Sequence, residues 1–122
     1  NRMSIKLVQA VIKSPAKQLS KSGTPGVLIT CEHNDGSDYG KRIYQWIWWG
    51  GDPADGNIRV WAGLAGSKDD DRDVLSSHAL CGLELDLIVN DSEKMWKIER
   101  VGLRGTLEPP TPTTVNADDI PF

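Results

Sequence analysis

Four alternate residues of one short segment, Arg42, Tyr44, Trp46 and Trp48, combine a cation with three large aromatic rings. In an extended strand, residues two apart share a face and stand about 6.6 Å from each other, so the rings form a row at or a little beyond the spacing of successive splayed bases. Rings of this kind stack on nucleobases, while basic side chains track the phosphates between them. Lys13, Lys17 and Lys21, in a stretch rich in Lys, Ser and Gly, are the candidates for that second role. The competing arrangement turns the three rings into the core and Ile43 and Ile47 outward, because indoles are large enough to bury in either orientation.

Other chemistries find weaker support. Cys31-x-His33 and His78-x2-Cys81 offer two Cys and two His, a zinc-like set, but in the barrel the second and fourth strands flank the first and run parallel, so the end of one and the start of the other lie at opposite ends. Asp69, Asp70, Asp71 and Asp73 are explained as the acidic first turn of a helix without a divalent ion. There is no Ser/His/Asp set, no Gly-rich phosphate loop and no carboxylate pair in an apolar setting. The expectation is a protein that is not an enzyme and that needs no metal or cofactor.

The elements that must position these residues follow from hydrophobic period. Ile5 to Ile12 reads as a first strand closed by Ser14 and Pro15, and Ala16 to Gly26 as a loop. Val27 to Glu32 alternates as a second strand, and Lys41 to Trp49 as a third with an aliphatic face of Ile43, Gln45, Ile47 and Trp49. Ile58, Trp61, Ala62 and Ala65 recur at helical spacing, and a further helix starts in the Asp69–Asp73 run, with Val74, Leu75 and Leu80 on its apolar side. Leu83 to Val89 and Met95 to Leu103 give a fourth and a fifth strand. Five short strands with a helical insert between the third and fourth is the element order of the oligonucleotide/oligosaccharide-binding (OB) barrel, an all-β fold; a split α+β sandwich has the same string. Trp49 and Trp61 are assigned to the core, and Trp96 is left between core and surface.

The chain has 122 residues, 39% hydrophobic and 25% charged, and no apolar run long enough to span a membrane. One domain of this size buries enough surface to stand without staples, so Cys31 and Cys81 are expected as thiols. Asn1 to Lys6 has no long apolar stretch of the kind a secretion signal carries, which makes the cytoplasm the expected compartment. The net charge of −3 argues against nucleic acid until position is considered. All 14 Lys and Arg precede residue 105, whereas Glu108, Asp118 and Asp119 follow it, so the tail carries the whole excess of acid. Arg2, Lys6, Lys13, Lys17 and Lys21 precede the first acid, Glu32, and Lys94, Lys97, Arg100 and Arg104 form a second basic segment.

After residues 1–105, the expected barrel, come two short segments. Residues 106–117 contain Pro109, Pro110 and Pro112 with several Thr and read as a stiff linker, continued as a disordered tail. Residues 118–122 are Asp118, Asp119, Ile120, Pro121 and Phe122, the last being the single Phe of the chain. Two acids, a terminal carboxylate and two apolar side chains suit a basic pocket with an apolar hole. This ending is similar, residue for residue, to the acidic tip of bacterial single-stranded DNA-binding proteins. The Lys21-Ser22-Gly23-Thr24-Pro25 turn also resembles phage-encoded members. Lys6 to Pro15 lacks the usual first-strand signature and the linker is short, so the resemblance is to a divergent phage or plasmid type.

The resemblance implies a protein that coats single-stranded DNA without sequence preference. It also implies recruitment of host replication, recombination and repair enzymes through Asp118, Asp119, Ile120, Pro121 and Phe122. The alternative is an adaptor or decoy that engages those enzymes through the tip and binds no DNA.

Overall fold

The structure is a computed structural model and describes residues 4–36, 38–49, 56–68 and 72–110. Its elements are β1 (Ile5–Val11), β2 (Lys17–Lys21), β3 (Thr24–His33), β4 (Arg42–Trp48), α1 (Gly56–Leu64), α2 (Arg72–Leu75), β5 (Glu84–Asn90) and β6 (Lys97–Leu103). The six strands form one antiparallel sheet in the order β2-β3-β1-β5-β6, with β4 on the other edge of β3. There is one strand more than the sequence pattern suggests, because Lys17–Lys21 lies in the segment expected to be a loop. The β2–β3 turn explains it: Ser22 and Gly23 both have positive φ, 53° and 79°, the conformation of a tight hairpin turn whose twist matches that of the flanking strands.

β1 and β2 share one edge of β3. Ala10 and Val11 face His33 and Glu32, and Lys17 faces Leu28. Residues 12–16 between them hold two more residues than the matching stretch of β3, so the first strand bends and resumes. Ile12 remains paired at the bend, donating to Leu83 O at 3.1 Å and accepting from Gly82 N at 2.7 Å.

The core lies on the inner face of the sheet. Val27, Ile29, Cys31, Ile43, Ile47, Leu85, Leu87 and Val89 are all buried, as period-two alternation requires. α1 buries Ile58, Trp61 and Ala62 against it, and Leu75, Leu80 and Trp49 complete the cluster. Burying one such aliphatic side chain contributes about 1.5–3 kcal/mol. Trp49 and Trp61 are therefore core residues, as the spacing indicates. The second helix is a single turn around Asp73, and Asp69, Asp70 and Asp71, expected at its start, lie outside the described residues. Burial pushes the Cys31 thiol up to about 12, the signature of a group that packs as a small hydrophobe.

Past β6 the chain stays attached. Asp86, buried on β5, accepts from Gly105 N at 2.8 Å and Leu107 N at 3.3 Å through Oδ2. Arg104 donates to Ala10 O at 2.9 Å and Asn34 Oδ1 at 3.3 Å, tying the end of β6 to β1. Thr106 and Leu107, at the head of the expected linker, thus rest against the sheet.

Candidate nucleic-acid interface

β4 places its residues as the alternation requires. Ile43 and Ile47 point into the core, and Arg42, Tyr44, Trp46 and Trp48 point away from it. The opposite arrangement is excluded because the aliphatic side chains of this strand, not its rings, fill the space beneath the sheet. Trp46 is 39% exposed, Arg42 is exposed, and Tyr44 and Trp48 are half-buried. The rings of Tyr44 and Trp46 lie 5.7 Å apart between centroids at 46°, close enough to support one another and too tilted to stack fully.

Register extends this face across three strands. Directly opposed residues of antiparallel strands project to the same side. Lys17, Leu28 and Trp46 form one cross-strand row, and Leu19, Gly26 and Trp48 the next. Thr30 stands opposite Tyr44, and Val11, Glu32 and Arg42 make the row at the other end. Lys17 therefore belongs to a strand beside the aromatic row, not to a loop bordering it. Lys21 ends the same strand opposite Thr24, and its side chain lies outside the described residues.

Lys13 sits in the bend between β1 and β2, and its Nζ lies 2.7 Å from Glu32 Oε1. The hydrogen bond to Glu32 and the attraction of its charge hold the Lys13 ammonium above the usual lysine range. Lys13, Ser14, Thr30, Glu32 and Arg42 line a shallow polar hollow of about 300 Å³. Glu32 is a residue that the basic-loop reading overlooked, and it neutralises part of that loop.

A second group approaches from the β5–β6 connection. Met95 is exposed, and Trp96, with Tyr44 and Trp46, lines a cleft of about 340 Å³ between β4 and the start of β6. Lys6 Nζ lies 4.3 Å and Lys41 Nζ 4.8 Å from the Trp96 ring centroid, and His33 meets the ring edge-on at 6.1 Å. Lys6 also bonds Asp91 at 3.1 Å and Asp38 at 3.5 Å. A hydrogen bond from Ser4 and the Lys6 charge hold the Asp91 carboxyl below its usual range. Met95, Trp96, Lys6 and Lys41 are the site residues that strand periodicity missed. The sequence pattern puts Met95 and Trp96 at the start of the fifth strand, but β6 begins at Lys97, so both lie in the connection before it, where Trp96 packs against the core and Met95 is exposed.

The sequence-derived residues thus divide. Arg42, Tyr44, Trp46, Trp48 and Lys17 share one face, and Lys13 flanks it in an ion pair. Asp118, Asp119, Ile120, Pro121 and Phe122 lie outside the described residues. Among the described residues no group of three or more His, Cys, Asp or Glu side chains is placed to hold a metal ion, and no helix is long and apolar enough to cross a membrane. No family model matches the chain, and no curated protein or solved structure shows significant similarity to it.

Proposed function

We propose that this chain is a single-stranded DNA-binding protein built on an OB barrel, with a tail that recruits partner enzymes. The fold reading is supported by treating β1 and β2 as one bent strand. The antiparallel order then becomes β4-β3-β1/β2-β5-β6 with the helices between β4 and β5, and β4 and β6 approach each other at the open seam. That is the strand order of the five-stranded barrel, whose central strands and connecting loops bind oligonucleotides.

The observation that carries the functional reading is the outward face of β4. Three aromatic residues and an Arg project from a strand whose inward Ile43 and Ile47 are fully buried, and Lys17 lies in register beside them. Exposing such rings loses burial free energy, and a surface that retains them fits a ligand with planar faces and negative charge. The direct test is a titration with oligo-dT at low salt, following tryptophan emission. Quenching that weakens in Trp46→Ala and Trp48→Ala, each still folded, supports the assignment. Unchanged emission from folded protein overturns it.

The recruiting role rests on the identity of Asp118, Asp119, Ile120, Pro121 and Phe122. In this reading deletion of the five residues abolishes capture of the partner enzymes and leaves DNA affinity unchanged or tighter.

A further inference from the structure

The turn between β3 and β4 holds a large ring away from the core. Tyr39 is 69% exposed, more than any other large apolar side chain among the described residues. The backbone that presents it is closed by hydrogen bonds. His33 N donates to Lys41 O and Gly40 N to His33 O, both at 2.8 Å, and Lys41 N donates to Asp38 O at 3.0 Å. The Asp38 carboxylate is drawn to Lys6 Nζ at 3.5 Å, which pins the residue next to Tyr39. A ring on a turn fixed in this way loses little backbone freedom when a ligand meets it.

The turn stands at one end of the β4 face. Arg42 is one strand period, about 6.6 Å, beyond Tyr44 on the outward side, and the turn begins where β4 ends at Arg42. Glu32 and Thr30 share that side as the register partners of Arg42 and Tyr44. The shallow hollow of about 300 Å³ that these residues line with Lys13 and Ser14 therefore lies at the end of the aromatic row. It holds two cations, Lys13 and Arg42, against one acid, Glu32. Tyr39 is beside it, within electrostatic reach of the Lys13 ammonium. Rings and cations thus alternate from Trp48, Trp46 and Tyr44 through Arg42 and Lys13 to Tyr39, as a single strand of alternating bases and phosphates requires.

We propose that Tyr39 is a further stacking platform, which takes the base of a nucleotide whose phosphate lies over the hollow between Lys13 and Arg42. The bound strand then runs along β4, passes Arg42 and ends on the β3–β4 turn. The proposal rests on the DNA-binding reading above and adds to it the direction in which the site extends beyond the sheet. A Tyr face stacks on any base, so this subsite carries no sequence preference.

The test is a length series of labelled oligo-dT, from about four to about sixteen nucleotides, the span of site sizes for such folds. Anisotropy in one buffer gives the affinity of the full chain and of its Tyr39→Ala and Tyr39→Phe variants at each length. In Tyr39→Ala the shortest oligomers, which fit on the β4 rings alone, are expected to bind within about twofold of the unsubstituted chain. Oligomers long enough to reach the turn are expected to lose about five- to 150-fold, one base stack. Tyr39→Phe keeps the ring and is expected to keep the affinity at every length, and both variants should melt with the unsubstituted chain because the side chain is exposed. Unchanged affinity of Tyr39→Ala at all lengths, or a loss as large for the shortest oligomers as for the longest, overturns the platform and leaves the DNA-binding reading intact. Failure of the unsubstituted chain to bind any oligomer overturns both.

Discussion

Gly26 and Trp48 are register partners across β3 and β4, and the Trp48 ring lies over the place where any other residue would carry its side chain. A Cβ built on Gly26 falls 2.7 Å from Trp48 Cε3 and 2.5 Å from Ile47 O, the second a backbone atom that cannot yield without moving the strand. Gly26→Ala is accordingly expected to destabilise the fold by about 1–3 kcal/mol, the range for overpacking, and to tilt Trp48 away from β3. Urea unfolding gives the first quantity, and the change in Trp48 emission, isolated by comparison with Trp48→Phe, gives the second. An Ala variant as stable as the original chain would show that the ring is not held there.

Trp46 is the most exposed ring of β4 and shares a cross-strand row with Lys17. Trp46→Ala is expected to weaken oligo-dT binding by about 1–3 kcal/mol, the value of one lost base stack, without changing thermal stability appreciably. Trp61→Ala is expected to do the reverse, lowering stability by about 3–5 kcal/mol because the side chain is buried in the core. Paired anisotropy and melting measurements separate the two roles.

Glu32 ties down Lys13 on the face where phosphates would run. Glu32→Gln removes a negative charge beside Arg42 and releases the ammonium, so oligo-dT binding should tighten and become more salt-dependent. The slope of log affinity against log salt should steepen by up to about 0.7 for one additional phosphate contact. Lys17→Ala should flatten it by a similar amount. Titrations at four salt concentrations read both.

Cys31 gives the fold a defined alkaline weakness. Its folded-state pKa of about 12 lies above the roughly 8.5 of an exposed thiol, so between those values the unfolded chain releases a proton that the folded chain keeps. Stability contributed by the neutral thiol is complete below about pH 8.5 and declines as pH rises, by up to about 1.4 kcal/mol per pH unit. Cys31→Val should lessen the decline between pH 8.5 and 10.5 in urea titrations. A thiol reagent should modify Cys81, which is half-buried, well before Cys31.

Asp86 holds the chain where it leaves the sheet. Asp86→Ala leaves the Gly105 and Leu107 amides without their acceptor and removes the carboxylate nearest Arg104 Nε, at 3.9 Å. A loss of about 1–3 kcal/mol is expected for the unsatisfied groups, together with faster amide exchange at Gly105 and Leu107. Exchange measured by NMR at those two amides checks it locally.

The parts of this fold that were legible in sequence are those where burial imposes a period. Ile43 and Ile47 against Trp46 and Trp48, and Leu85, Leu87 and Val89 on β5, fix strand and face together. β2 was not legible that way, since Lys-Gln-Leu-Ser-Lys at a sheet edge has one apolar residue and no buried face to repeat. Its trace was in the turn, where Ser22-Gly23 supplies the positive φ pair of a hairpin. Trp96 escaped for a different reason: the pattern puts it inside the fifth strand, whereas β6 begins at Lys97, and its surroundings, Lys6, Lys41 and His33, come from distant parts of the chain that only the tertiary fold gathers. The Lys13–Glu32 pair is likewise a product of the β1–β2 bend, which no local pattern encodes.

The bent first strand also sets an order of assembly. β2, β3 and β4 form a meander of neighbours in sequence that carries Lys17, Arg42, Tyr44, Trp46 and Trp48, and it needs only short turns to form. β1 instead completes its pairing with β5, from Ile5 opposite Asn90 to Val11 opposite Glu84, a closure across most of the described chain. Non-local pairing of this kind is slow because chain entropy is lost before the contacts form. The half bearing the aromatic face is therefore poised to appear first, with Val27, Ile29, Ile43 and Ile47 uncovered beneath it. That apolar face is the one that the β5–β6 hairpin and α1 cover in the finished fold.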